Sequence, residues 1–171
     1  PMIMFVGQVA RDMKEREAFQ ELDYKAVFGT MAKWVVEIDR AERIPEIISR
    51  AYHVAMQGRP GPVVIALPED MLTDNADVAD AIRAEPVMLR PGQADMEDLQ
   101  RRLLAAKKPI VLAGGSGWNE QGVADLAAFA ENFALPVAVT FRRQMLFPAD
   151  HPNYAGDLGI GPNPKLLQRV K

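Results

Sequence analysis

The stretch "IPEIISRAYHVAMQGRPGPVVIALPED", Ile44 to Asp70, decides the fold class. Pro45 suits the first turn of a helix, where a missing N–H costs nothing. Ile44, Ile47, Ile48, Ala51, Tyr52, Ala55 and Met56 then recur at helical spacing, and Gly58 is a natural C-terminal stop. "PVVIALP" follows as a continuous apolar run, the pattern of a strand covered on both faces. Upstream, Lys33 to Ile38 ("KWVVEI") is short and β-branched and reads as a strand. Strand, helix, strand at this spacing predicts a βαβ unit with a parallel sheet.

Between helix and strand lies Gly58-Arg59-Pro60-Gly61-Pro62. Two prolines fix φ and remove two donors, so the entrance to the strand is stiff and presents Arg59 at a defined angle. A guanidinium there either forks onto a phosphate or carboxylate or makes a salt bridge that pins the loop.

Outward from this stretch, "MIMFVG" near the N-terminus reads as another buried strand. A domain that starts inside a core strand is expected to be a piece of a longer polypeptide. Lys14 to Tyr24 reads as a short helix or ordered loop. Thr73 to Asp95 mixes acidic residues, alanines and prolines and reads as a linker with room for a helical turn. A second α/β unit follows. It has a helix over Met96–Ala106, a strand in "KPIVLAGG", a helix over Gln121–Phe133 and a strand in "LPVAVT". The Gly/Pro-rich tract after Thr140 reads as loops, and "KLLQRV" begins a last helix. The fold class is therefore α/β: two α/β units with parallel sheets, the first incomplete, joined by a linker. Residues 1–72, 73–95 and 96–171 are the expected first domain, linker and second domain.

Composition narrows the function. Across 171 residues, 49% are hydrophobic and 25% charged, with net charge −3, the profile of a globular chain with a core. There is no basic footprint for nucleic acid. No cysteine is present and the two histidines, His53 and His151, are far apart, which removes thiol chemistry and histidine-pair metal sites. No apolar run approaches a membrane span and the N-terminus carries no signal-peptide pattern. A cytoplasmic protein is the simplest reading. His53 reads as packing within its helix stripe and His151 as a structural loop residue.

"AGGSGWNEQG", Ala113 to Gly122, sits between a strand and a helix. Glycines there let backbone approach a phosphate at a helix N-terminus. The dinucleotide pattern G-x-G-x-x-G fails at Glu120, so a tight turn capped by Ser116 or Asn119 stands beside the ligand reading. "AFQELD", Ala18 to Asp23, reads by pattern as a capped helix end.

The order "GQV…AFQE…AKW…GRPGPVVIALPEDM", then "KKPIVLAGGSG…LPVAVTF…FPADHPNYAGDLG", resembles thiamine-diphosphate-dependent enzymes of the acetolactate synthase large-subunit type. The first part is similar to the end of their pyrimidine-binding domain and the second to the start and most of their central domain. The resemblance implies a decarboxylase or carboligase of 2-keto acids, using thiamine diphosphate and Mg2+, with FAD or ADP in the central domain. It implies a homodimer or homotetramer for the full-length protein. It puts Phe19 and Gln20 on the substrate side and places Arg59, Gly114, Gly115, Thr140 and Phe141 at the flavin or nucleotide. Arg59 is expected to point to a ligand held against Gly114-Gly115 and Thr140. Glu69 stands where acetolactate synthases usually carry lysine, and Phe141-Arg142-Arg143 where relatives often have a glycine-bearing stretch. The activating glutamate and the GDG…N metal-diphosphate motif of the family are absent from these residues. No catalytic or metal-ligating residue is therefore assigned, and the chain alone is expected to be inactive. The alternatives are a related lyase or transferase with glyoxylate, oxalyl-CoA or sulfoacetaldehyde as acyl donor, or a non-catalytic nucleotide- or flavin-binding module.

Overall fold

A computed structural model describes residues 1–171. The chain divides into two compact units, Pro1–Leu89 and Arg90–Lys171.

The first unit is built on a three-stranded parallel sheet of β1 (Met2–Gln8), β2 (Trp34–Glu37) and β3 (Pro62–Pro68), in the order β1-β3-β2. Short helix α1 (Tyr24–Phe28) precedes β2, and α2 (Ile44–Met56) crosses from β2 to β3. The register runs Met2↔Pro62 to Gln8↔Pro68 on one side of β3 and Trp34↔Val63 to Glu37↔Ala66 on the other. β3 lies between two strands, which explains its unbroken apolar run: Val63, Val64, Ile65 and Ala66 are all buried. Each such Val or Ile contributes about 1.5–3 kcal/mol of transfer free energy.

α2 begins with Pro45 in its first turn and buries Ile47, Ala51 and Ala55, spaced four apart, against β1 and β3. It ends at Gln57, whose N–H bonds the His53 carbonyl, one residue before Gly58. β1 differs from its expected place. Apolar except for Gln8, it lies at the edge of the three-stranded sheet, and Met2 and Phe5 are 55% exposed.

Residues 74–92 carry no helix or strand. A short 3-10 turn, Met71–Thr73, precedes them.

The second unit has α3 (Gln93–Ala105), β4 (Val111–Ala113), α4 (Glu120–Asn132), β5 (Val137–Thr140), β6 (Tyr154–Leu158) and α5 (Pro164–Val170). Its sheet is parallel, in the order β4-β5-β6. β5 is central and buries Val137, Ala138 and Val139. With Ala113, Ala130, Leu146 and Phe147 these form a separate core.

β6 was expected to be loop. It carries Gly156 at φ +113 and pairs with β5 across a register shift at Val137/Ala138. A glycine and an irregular ladder hide the alternation that marks a strand.

His53 lies half-buried on α2. His151 Nδ1 accepts the Asn153 N–H at 3.0 Å, which leaves the proton on Nε2 to be donated to Glu131 at 3.0 Å, and its ring meets Phe147 edge-on.

Candidate functional site

Parallel α/β sheets present their loops, and hence their ligands, at the carboxyl ends of the strands. Each unit has such an edge.

In the first unit the edge is shaped by side chains. Gln8, at the end of β1, is buried. Its Nε2 donates to the Leu22 carbonyl at 2.8 Å, its Oε1 accepts the Val9 N–H, and its main-chain oxygen accepts the Glu69 N–H. Tyr24 donates its hydroxyl to the Gly7 carbonyl at 2.7 Å. Arg11 gives its Nε to Asp70 at 2.7 Å, its main-chain N–H to the same carboxylate at 3.0 Å, and further bonds to Asp74 and the Asp39 carbonyl. The Arg11 side chain, and after it the Arg11 N–H, hold the Asp70 carboxyl below its ordinary range. The Asp70 and Asp74 carboxylates push the guanidinium the other way.

On the sheet face away from α2 lies a cleft of about 660 Å3, lined by Gln8, Lys14, Glu21, Tyr24, Glu37 and Asp39 among others. Lys14 and Glu37 form an ion pair across it.

The loop that walls this cleft carries Phe19 and Gln20. Phe19 is 89% exposed. Glu15, Glu17 and Gln20 have φ of 61°, 54° and 65°, a left-handed conformation that costs a side-chain-bearing residue about 1–2 kcal/mol. The loop is held by Glu21, whose carboxylate accepts the N–H groups of Glu15 and Ala18. Those donors draw its pKa below the ordinary carboxylate value. Residues 15–21 are therefore a constrained loop, and Asp23, which follows it, caps α1 by accepting the Ala26 N–H at 3.0 Å, the capped helix end expected of this stretch. Glu21 passed unnoticed in the sequence because nothing in spacing marks a carboxylate that bonds backbone.

Arg59 lies at the opposite, amino end of the first sheet, exposed, with no ion pair or hydrogen bond. The expected pinning salt bridge is absent. Lys33 does that work: its N–H bonds the Pro62 carbonyl and its Nζ bonds the Gln57 carbonyl at 2.6 Å. Its stem fills the space where a Gly61 Cβ would stand, and the Gly61 N–H bonds the Ala55 carbonyl.

In the second unit the carboxyl edge is made of main chain. The β4–α4 turn brings Gly114 against Thr140 at the end of β5. A Cβ on Gly114 would stand 2.7 Å from Thr140 Oγ1 and 2.8 Å from its Cγ2. Gly115 and Gly117 have φ of +78° and +91°, with open space where a Cβ would point. Trp118 pins the turn through Nε1 to the Gly114 carbonyl at 2.8 Å, and Asn119 caps α4 through the Gly122 N–H. Phe141, 51% exposed, packs beside Gly159, and Asp157 accepts the Gly159 N–H. Gly114, Gly115, Thr140 and Phe141 thus share one edge. Open glycine backbone ahead of a 13-residue helix fits a phosphate-bearing group. By contrast, no group of three or more His, Asp or Glu is placed to hold a metal ion.

Residues 96–171 match the family of the thiamine pyrophosphate enzyme central domain. The chain is 31% identical over 163 residues to a glyoxylate carboligase of Escherichia coli O157:H7, and 34% identical over 165 residues to an acetolactate synthase large subunit of Lactococcus lactis subsp. lactis. In each case 94% of this chain aligns with 27% and 28% of the relative. It spans less than a third of the length of the curated relatives it matches. Among solved structures, benzoylformate decarboxylase from Polynucleobacter necessarius superposes with a TM-score of 0.80 at 30% identity, over 91% of this chain and 30% of that one.

Proposed function

Residues 96–171 match the central domain of thiamine pyrophosphate enzymes, and we propose that the chain is part of such an enzyme, a 2-keto acid decarboxylase or carboligase of the acetolactate synthase type. The observation that supports this reading is the reach of the similarity: it covers 94% of the chain, both units included, against a carboligase and a synthase alike. Thiamine diphosphate, when bound, supplies the electron sink that decarboxylation of a 2-keto acid requires.

The part of these 171 residues is to bind and orient. Phe19 offers an apolar ring and Gln20 an amide on the substrate side. Gly114, Gly115, Thr140 and Phe141 hold a flavin or ADP at the second unit's edge. Arg59, free of protein partners, forks onto the phosphates of such a ligand. The ligands of Mg2+ and of the thiamine diphosphate itself come from outside this chain, in a full-length homodimer or homotetramer.

Release of CO2 from pyruvate and glyoxylate by the full-length protein, with and without thiamine diphosphate and Mg2+, tests the reading. Cofactor-dependent release from either acid is expected. Binding of FAD or ADP with no release from either acid makes the protein a nucleotide-binding module instead. The 171-residue chain alone is expected to form no acetolactate.

Arg59→Ala is expected to weaken FAD or ADP binding by about 1.5–3 kcal/mol, and Arg59→Lys to recover part of it. Unchanged affinity in a folded Arg59→Ala protein removes Arg59 from the site.

A further inference from the structure

The loop between β1 and α1 is the most constrained irregular segment of the first unit. Three side-chain-bearing residues within six positions, Glu15, Glu17 and Gln20, occupy the left-handed region. Its far end is tied to the sheet by Gln8 to the Leu22 carbonyl and by Tyr24 to the Gly7 carbonyl. Its near end is tied by Lys14 to Glu37 on β2. Between these anchors one side chain determines the loop's path. Glu21 accepts the Glu15 N–H on Oε1 and the Ala18 N–H on Oε2, while its own N–H bonds back to the Ala18 carbonyl at 3.0 Å. The carboxylate therefore closes two turns at once, one on either side of Arg16-Glu17. The residue displayed by the second turn is Phe19, 89% exposed.

We propose that Glu21 is a positioning residue: by bonding the Glu15 and Ala18 amides it holds Phe19 and Gln20 in the geometry in which they meet the 2-keto acid. This rests on the substrate-side reading of Phe19 and Gln20. Both carboxylate oxygens are needed because both partners are donors. Glutamine presents one acceptor and one donor, so it keeps one of the two bonds and sets an NH2 against the other N–H. Aspartate, one methylene shorter, does not span both amides.

Two measurements test this. In the 171-residue chain, the Glu15 and Ala18 amide protons are expected to lie downfield by NMR. Both should move upfield in Glu21→Ala, and one of the two in Glu21→Gln. Amides indifferent to both substitutions overturn the proposal.

In the full-length enzyme, Glu21→Ala and Phe19→Ala are each expected to raise KM for the 2-keto acid by about tenfold, the low end of what an apolar contact to a substrate is worth. The value of kcat should change little. The double variant should fall short of the product of the two effects, because Glu21 acts on Phe19 through the loop while also positioning Gln20. Thermal melts establish that each variant is folded.

If Phe19→Ala raises KM and folded Glu21→Ala does not, or if the two effects add, Glu21 has no positioning role. If neither Phe19→Ala nor Gln20→Ala changes KM while the amide shifts behave as expected, the substrate-side reading fails. The proposal then falls with it, leaving Glu21 as a loop brace.

Discussion

The two units solve the same problem with different parts. Each has a three-stranded parallel sheet whose carboxyl edge must be finished by loops. In the first unit, side chains from distant positions finish it: Arg11 to Asp70, 59 residues apart, and Gln8 to Leu22, 14 apart. In the second, main chain does so: Gly114 packed on Thr140, and Gly115 and Gly117 in left-handed turns beside open space. A side-chain edge can be tuned residue by residue and is sensitive to charge. A glycine edge is sensitive to volume and leaves N–H groups for a ligand. That contrast suits a substrate-facing loop on one unit and a phosphate cradle on the other.

The largest test of the comparison is whether the cores are separate. Phe147→Ala is expected to cost about 3–5 kcal/mol and Ile65→Ala about 2–5 kcal/mol, as buried large-to-small changes do. Hydrogen exchange should show β4–β6 losing protection in the first variant and β1–β3 in the second. A loss shared by both sheets breaks the description of two cores.

Volume at the glycine edges comes next. Gly114→Ala drives a Cβ into the β-branched Thr140, which cannot step aside, and is expected to cost about 1–3 kcal/mol. Gly61→Ala in the first unit meets only the flexible Lys33 stem at 3.0 Å and should cost under about 1 kcal/mol in a denaturant titration. Equal costs would show that Gly114 is packed no more rigidly on Thr140 than Gly61, at the amino end of the first sheet, is on Lys33.

The smallest effect is electrostatic. The Asp70 and Glu21 carboxyls are held below their ordinary values by Arg11 and by backbone N–H groups. Groups with depressed folded pKa values stabilise fully above the unfolded pKa and lose that contribution as pH falls through the folded one. The first unit should therefore weaken as pH drops below about 4. Asp70→Asn and Glu21→Gln should each narrow the gap between denaturant midpoints at pH 6 and pH 3. An unchanged gap would show that these exposed bonds are screened out.

Much of this architecture is legible in the sequence, for physical reasons that differ by element. α2 declares itself through Ile47, Ala51 and Ala55, and β3 through a run that only a strand paired on both sides needs. The helices read at Met96–Ala106 and Gln121–Phe133 lie within a few residues of α3 and α4. β6 stays hidden because Gly156 and a register shift break its pattern. The position of β1 at the edge is equally hidden, because apolar content reports burial potential and not strand order. At the candidate sites, Gly114 and Thr140 follow strands that can be read, so their meeting could be expected. The work of Glu21, Arg11 and Lys33 depends on bonds to main chain or to residues far along the chain, and pattern does not encode those.

The strand order of the first sheet also sets a schedule. Among these residues β1 pairs with β3, the last strand of its unit, across α1, β2 and α2. β2 and β3 meet over a shorter loop, and longer closure carries the greater entropy. Assembly should therefore begin with β2, α2 and β3, with β1 docking last. Until then the edge of the apolar MIMFVG segment that pairs with β3 stays open, the condition in which a strand is most prone to stick to its neighbours. Synthesis that pauses before Pro62 should lengthen that exposure, and synthesis that continues through Pro68 should end it.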